Sequence, residues 1–93
     1  MHRTTRRFWR CYNSLPTALQ AVADQSFALL KRDPRHPSLH FKKTGKVWSA
    51  RVGRHHRALA APDGKGFLWV WIGTHDEYDR IISGQQQIAP YQN

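Results

Sequence analysis

The sequence predicts an α+β fold, in which an N-terminal helical hairpin packs on a small antiparallel β-sheet and a short C-terminal helix closes the chain. Three observations carry this. Two apolar stripes at helical spacing fill the first third of the chain. Three strand-like runs follow, separated by glycine-containing turns. The last run, FLWVWIG (67–73), stops at a glycine and is followed at once by a histidine, two acids and a tyrosine in THDEYD (74–79).

Each element has a local reason. In TTRRFWRCYNSL (4–15), Phe8, Cys11, Tyr12 and Leu15 recur at i, i+3, i+4 and i+7, one face of a helix. Asn13 and Ser14 break it. Pro16 suits the first turn of a second helix, where its missing N–H costs nothing. From Pro16 to Arg32, the residues Leu19, Val22, Ala23, Phe27 and Leu30 form the second stripe. Asp33-Pro34 stops it, because a residue before proline avoids the helical region. The proline-punctuated, basic segment PRHPSLHFKKTGK (34–46) reads as an extended connection. VWSARV (47–52), HRALAA (56–61) and FLWVWIG then form a three-stranded meander, with PDGKG (62–66) as its second turn. Strict alternation puts Phe67, Trp69 and Trp71 on one face and Leu68, Val70 and Ile72 on the other. A strand apolar on both faces is covered on both sides. DEYDRII (76–82) is a short helix, and Asp76 and Glu77 at its start complement the helix dipole.

The chain is read as a single domain over 1–93, with GQQQIAPYQN (84–93) as a loosely held tail. Its one cysteine, Cys11, excludes an internal disulfide and fits a reducing, cytoplasmic setting. No run approaches the roughly 18 apolar residues of a membrane span, and no membrane partner is expected. Net charge is +9 and unevenly spread: residues 1–57 hold 13 of the 15 basic residues with only Asp24 and Asp33, whereas 58–93 are net acidic. A field this positive favours a polyanion, nucleic acid first. The histidines match no zinc spacing, so neither metal nor other cofactor is expected.

Taken together, LP (15–16), DPRHPSLHFKK (33–43), WSARVGRHHRAL (48–59) and WIGTHDEYDRII (71–82) resemble the RelE/ParE superfamily, the toxin halves of bacterial type II toxin–antitoxin pairs. The resemblance spans residues 8–82. Members commonly begin with a β-strand that pairs into the sheet. MHRTTRR (1–7) carries no such pattern, so a smaller sheet without that strand is expected. The resemblance implies one of two activities: endoribonuclease cleavage of mRNA on the ribosome (an mRNA interferase), or ParE-like inhibition of DNA gyrase without nuclease activity. A non-enzymatic nucleic-acid-binding homologue is a third reading. Either toxin would be silenced by a cognate antitoxin protein, and the basic charge and doubly apolar strand suit an acidic segment that folds as it binds.

RNA cleavage by a 2′-hydroxyl needs a proton removed, phosphoryl charge stabilised and the leaving oxygen protonated. Arginine suits the second task through its fixed fork, and histidine suits proton transfer. Arg51, Arg57 and His75 match the basic and histidine positions that the resemblance implies as catalytic, with Tyr78 one helical turn beyond His75. Lys42, Lys43, Lys46, Arg54 and His56 are the expected RNA-binding residues. His56 stands where the family often has tyrosine. These residues favour RNA cleavage over gyrase inhibition. Each also has a structural reading: His75 as a helix cap, Arg57 as the partner of a carboxylate, Arg54 as a solvated turn residue.

Hairpin register separates shared from divided sites. A two-residue Gly53-Arg54 loop would put Arg51 and Arg57 on opposite faces. A three-residue loop, Gly53-Arg54-His55, puts them opposite one another on one face, where like charges are destabilising unless an anion lies between them. The three-residue register is expected, with Arg51, Arg57 and His75 on one groove.

Overall fold

The computed structural model describes the backbone of residues 1–92 and the side chains of residues 1–84. In chain order the elements are β1 (His2–Thr4), α1 (Arg6–Asn13), α2 (Thr17–Arg32), a single 3₁₀ turn at Pro37–Leu39, β2 (Lys42–Thr44), β3 (Val47–Val52), β4 (His56–Asp63), β5 (Gly66–Thr74) and α3 (His75–Gln92). The strands form one sheet in the order β1-β5-β4-β3-β2. The α+β class, the helical pair and the β3-β4-β5 meander agree with the sequence reading.

Four features differ from it. The sheet has five strands rather than three. β1 exists and pairs parallel to β5, with His2 opposite Phe67 and Thr4 opposite Trp69. Three residues are too short to show a period. Their hold comes from across the sheet: Phe67 N–H donates to the Met1 carbonyl at 2.8 Å, and the Trp69 indole N–H donates to His2 Nδ1 at 3.0 Å. β2 forms within the expected extended connection, as a three-residue edge strand carrying two lysines, a composition that blunts an open edge. Finally, α3 runs to Gln92, well past residue 82. The expected loose tail over 84–93 falls largely on residues whose side chains lie outside the described residues.

The fourth difference concerns the tryptophans. The β4–β5 ladder shifts register between Leu59 and Ala60: Leu59 faces Trp71, but Ala60 faces Trp69. Val70 is the extra residue of a β-bulge, and the alternation of β5 flips there. Phe67, Trp69 and Ile72 therefore pack with α1 and α2, together with Leu30, Ala50, Val52 and Ala58. Trp71 joins Val70, Leu59 and Tyr78 on the other face, beneath α3. A strand apolar on both faces is thus covered on both, by the helical pair and by α3.

The helices start and stop for legible reasons. Thr5 caps α1 by accepting from the Phe8 N–H at 3.1 Å. Pro16 sits at the N-cap of α2, one position before the turn expected for it, and Asp33 is its C-cap. Gly53 adopts φ +63°, a left-handed conformation that a Cβ disfavours. This allows a three-residue turn between β3 and β4.

Candidate functional site

The site grows from the end of β5. Thr74 and Glu77 form a capping box: Glu77 N–H donates to Thr74 Oγ1 at 3.1 Å, and Thr74 N–H donates back to Glu77 Oε1 at 3.0 Å. These bonds hold the Glu77 carboxyl below its ordinary value. The box fixes where α3 begins, so His75 falls in its first turn and Tyr78 one turn later. His75 N–H donates to the His55 carbonyl at 2.7 Å, tying the helix start to the β3–β4 turn. Gly73 is obligatory here. A Cβ on it would run into the Trp71 ring and reach Glu77 Oε1 at 2.8 Å.

Tyr78 is the hub. It is 7% exposed, and its hydroxyl donates to Ser49 Oγ at 3.3 Å. The Arg57 guanidinium carbon stands 5.2 Å from the centre of its ring, within cation–π range. The His75 ring lies 5.7 Å away on a tilted plane. His75 Nε2 is 3.4 Å from an Asp79 carboxylate oxygen, and both side chains are about half exposed. Arg57 pairs with no carboxylate among the described residues. Its Nε and Nη1 are buried and have no hydrogen-bond partner among them. Two buried guanidinium nitrogens without a hydrogen-bond acceptor are costly, and an anion is an ordinary remedy.

Register places the remaining residues. Arg51 stands opposite Arg57 and Val52 opposite His56, the three-residue loop expected from the sequence. Ala50 and Val52 face the helical pair, so Arg51 and Arg57 share the face beneath α3. Arg51 Nε donates to the Gly53 carbonyl at 3.0 Å, which curls part of its guanidinium back on its own turn. Lys42 pairs with Ser49 and so belongs to the Arg57 face. Lys43 pairs with Trp48 and belongs to the other. Lys46 lies in the β2–β3 turn at the far end of β3, and Arg54 is exposed in the β3–β4 turn. His56 alternates with Arg57 and sits on the helical-pair face. Burial pushes its pKa below the ordinary value, and His55 adds to that against an opposing pull from Glu77.

The fold therefore brings together Arg51, Arg57, His75, Tyr78 and Lys42. It separates Lys43, Lys46 and His56 from them, while Arg54 is exposed on the turn whose Gly53 and His55 carbonyls accept from Arg51 and His75. Ser49, fully buried, and Asp79 were not singled out in the sequence. Asp79 was findable as the i+4 partner of His75, and the capping box as T-x-x-E at 74–77. Ser49 gave no signal, since only the tertiary fold sets it under Tyr78.

No family model matches the sequence, and no curated protein matches it. Solved structures do. The toxin–antitoxin complex RelBE2 from Mycobacterium tuberculosis contains a chain 21% identical, with a TM-score of 0.61 over 81% of this chain and 96% of that one. The toxin RelE of E. coli, as a mutant in the free state, is 8% identical with a TM-score of 0.64, covering 95% and 96%. YafQ of E. coli is 12% identical with a TM-score of 0.63, covering 84% and 96%. At these identities the likeness is one of fold, and it covers nearly the whole of each chain compared.

Proposed function

We propose that the protein is the toxin of a type II toxin–antitoxin system and acts as a cytoplasmic endoribonuclease on ribosome-bound mRNA. The observation that carries this is Arg57, whose buried Nε and Nη1 lack partners beside the half-exposed His75. The likeness of fold to RelE and YafQ supports the same reading.

In this mechanism the scissile phosphate binds at Arg57, with Arg51 and Lys42 adding positive charge from the same face. The 2′-oxygen attacks phosphorus and the bond to the 5′-oxygen breaks, giving a 2′,3′-cyclic phosphate and a 5′-hydroxyl. His75 takes the proton from the 2′-hydroxyl, because it is the exposed titratable ring beside the arginine, and the departing 5′-oxygen takes its proton from water. Asp79 orients that ring. Tyr78 serves by holding Arg57 and His75 in place; its own hydroxyl is committed to Ser49. No step calls for a bound metal.

The partner in this reading is a cognate antitoxin. The mycobacterial relative is a toxin–antitoxin complex, and an acidic segment suits a chain of net charge +9. Primer extension on ribosome-bound mRNA tests the activity. New 3′-truncated products that disappear with Arg57→Ala support the proposal. No cleavage, together with loss of gyrase supercoiling activity, would replace it with gyrase inhibition.

A further inference from the structure

We infer that the solvent face of α1 is a second RNA-binding surface, which grips single-stranded RNA through Arg6 and Arg10 and stacks a base on Trp9. Phe8 and Tyr12 hold α1 to the helical-pair core, so this face stands apart from Arg57 and His75. The stripe that remains outward is Arg6, Trp9, Arg10 and Asn13, at helical spacing. These residues, with Thr4 and Thr5, line an open groove.

Three features point to RNA as the occupant. First, α1 contains no acidic residue. Arg6, Arg7 and Arg10 are all exposed and form no ion pair among the described residues, whereas Arg3 is paired with Asp63 at 2.9 Å. Second, Trp9 is 45% exposed, although it is the kind of side chain a small domain normally buries. Third, the ring is held ready. Its indole N–H donates to Thr4 Oγ1 at 2.8 Å, and Phe8 and Tyr12 meet it edge to face at 5.2 and 5.1 Å. An oriented indole flanked by two guanidinium forks matches what single strands require: a π-surface for a base, and cations for the phosphates on either side. Residues four apart on a helix stand about 5–6 Å apart at Cβ, close to the spacing of successive phosphates.

The test uses Arg57→Ala protein, so that neither cleavage nor the first site dominates. A fluorescein-labelled 12-residue oligouridylate is titrated by anisotropy across a salt series. The double variant Arg6→Gln/Arg10→Gln should bind about tenfold or more weakly. Its log–log salt slope should fall by about 1.4, two contacts on a single strand. Trp9→Leu should also weaken binding about tenfold, and Trp9→Phe should recover most of the loss. Circular dichroism checks that each variant is folded; if Trp9→Leu is not, the exposed arginine pair decides. Unchanged affinity and slope in that pair would overturn the inference. So would equal, arginine-dependent binding to phosphatidylserine vesicles, which would make the face a membrane contact. RNA binding that depends on α1 in a protein that never cleaves would leave this inference standing and remove the nuclease reading.

Discussion

Arg51 and Arg57 stand directly opposite one another across the β3–β4 ladder, on the sheet face beneath α3. Two like charges in that position destabilise a sheet. The turn that creates the pairing needs a glycine at positive φ, and Gly53 supplies it. A fold under selection for stability alone has a simpler two-residue alternative. The cost becomes useful when a phosphate sits at the pair.

The first prediction follows from that trade. Arg51→Gln should remove the repulsion and raise the melting temperature by about 2–4 °C, the shift expected for about 0.5 kcal/mol in a domain of this size. The same variant should bind RNA more weakly. Scanning calorimetry and anisotropy read both. A lower melting temperature would mean that the Arg51–Gly53 hydrogen bond outweighs the repulsion.

Tyr78 separates support from chemistry. Tyr78→Phe keeps the ring beside Arg57 and His75 but strands the buried Ser49 hydroxyl, at a cost of about 1 kcal/mol. Cleavage should stay within a few-fold of wild type. Tyr78→Ala should unseat both neighbours and open a cavity, costing about 3 kcal/mol or more. A loss of a hundredfold or more in Tyr78→Phe would make the hydroxyl a proton donor.

Lys42 and Lys43 are adjacent in sequence and opposite in direction. Lys42→Ala should weaken RNA binding at the Arg57 face, and Lys43→Ala should leave it nearly unchanged. Equal effects from the two would mean that the lysines act through overall charge alone.

Acid should loosen β1. His2 accepts the Trp69 indole N–H through Nδ1, so its neutral form is the one the fold uses. Burial lowers its pKa from the ordinary 6.5, aided by the N-terminus and Lys31. The unfolded chain then binds more protons as pH falls. The stabilisation is complete above about 6.5 and is lost as pH drops through the lowered value. His56, also lowered, acts in the same direction. Melting temperatures at pH 7.5 and 5.5 should differ. His2→Asn, an acceptor that does not titrate, should narrow the gap, and adding His56→Gln should narrow it further. A gap unchanged by both would place the acid sensitivity elsewhere.

Much of this architecture was legible in the sequence because its signals are local. The stripe Phe8, Cys11, Tyr12, Leu15 and the Asp33-Pro34 stop needed only helical spacing and proline chemistry. The β3–β4 register was not such a signal: a glycine-led two-residue loop is the commoner hairpin, and only the chemistry of a shared phosphate site selected the three-residue turn. The misses share a different cause. His2–Thr4 and Lys42–Thr44 are too short to show a period, and pairing with β5 and β3 alone makes them strands. The bulge at Val70 breaks the alternation of β5 without any glycine or proline to mark it, so Trp71 was assigned to the wrong face. The same blindness affected the site. Arg57 and His75 were visible by residue type, but the separation of Lys43 and His56 from them depends on register, and Ser49 on tertiary contact.

The central claim is that Arg57 and His75 form one cleaving site on the RNA. Single-turnover cleavage of ribosome-bound mRNA, measured by primer extension, tests it most directly. Arg57→Ala and His75→Ala should each slow cleavage by about a hundredfold or more, while circular dichroism and antitoxin binding match wild type. The double variant should be little worse than either single one, since residues acting as a unit are not additive. Folded single variants that cleave at the wild-type rate would contradict the account.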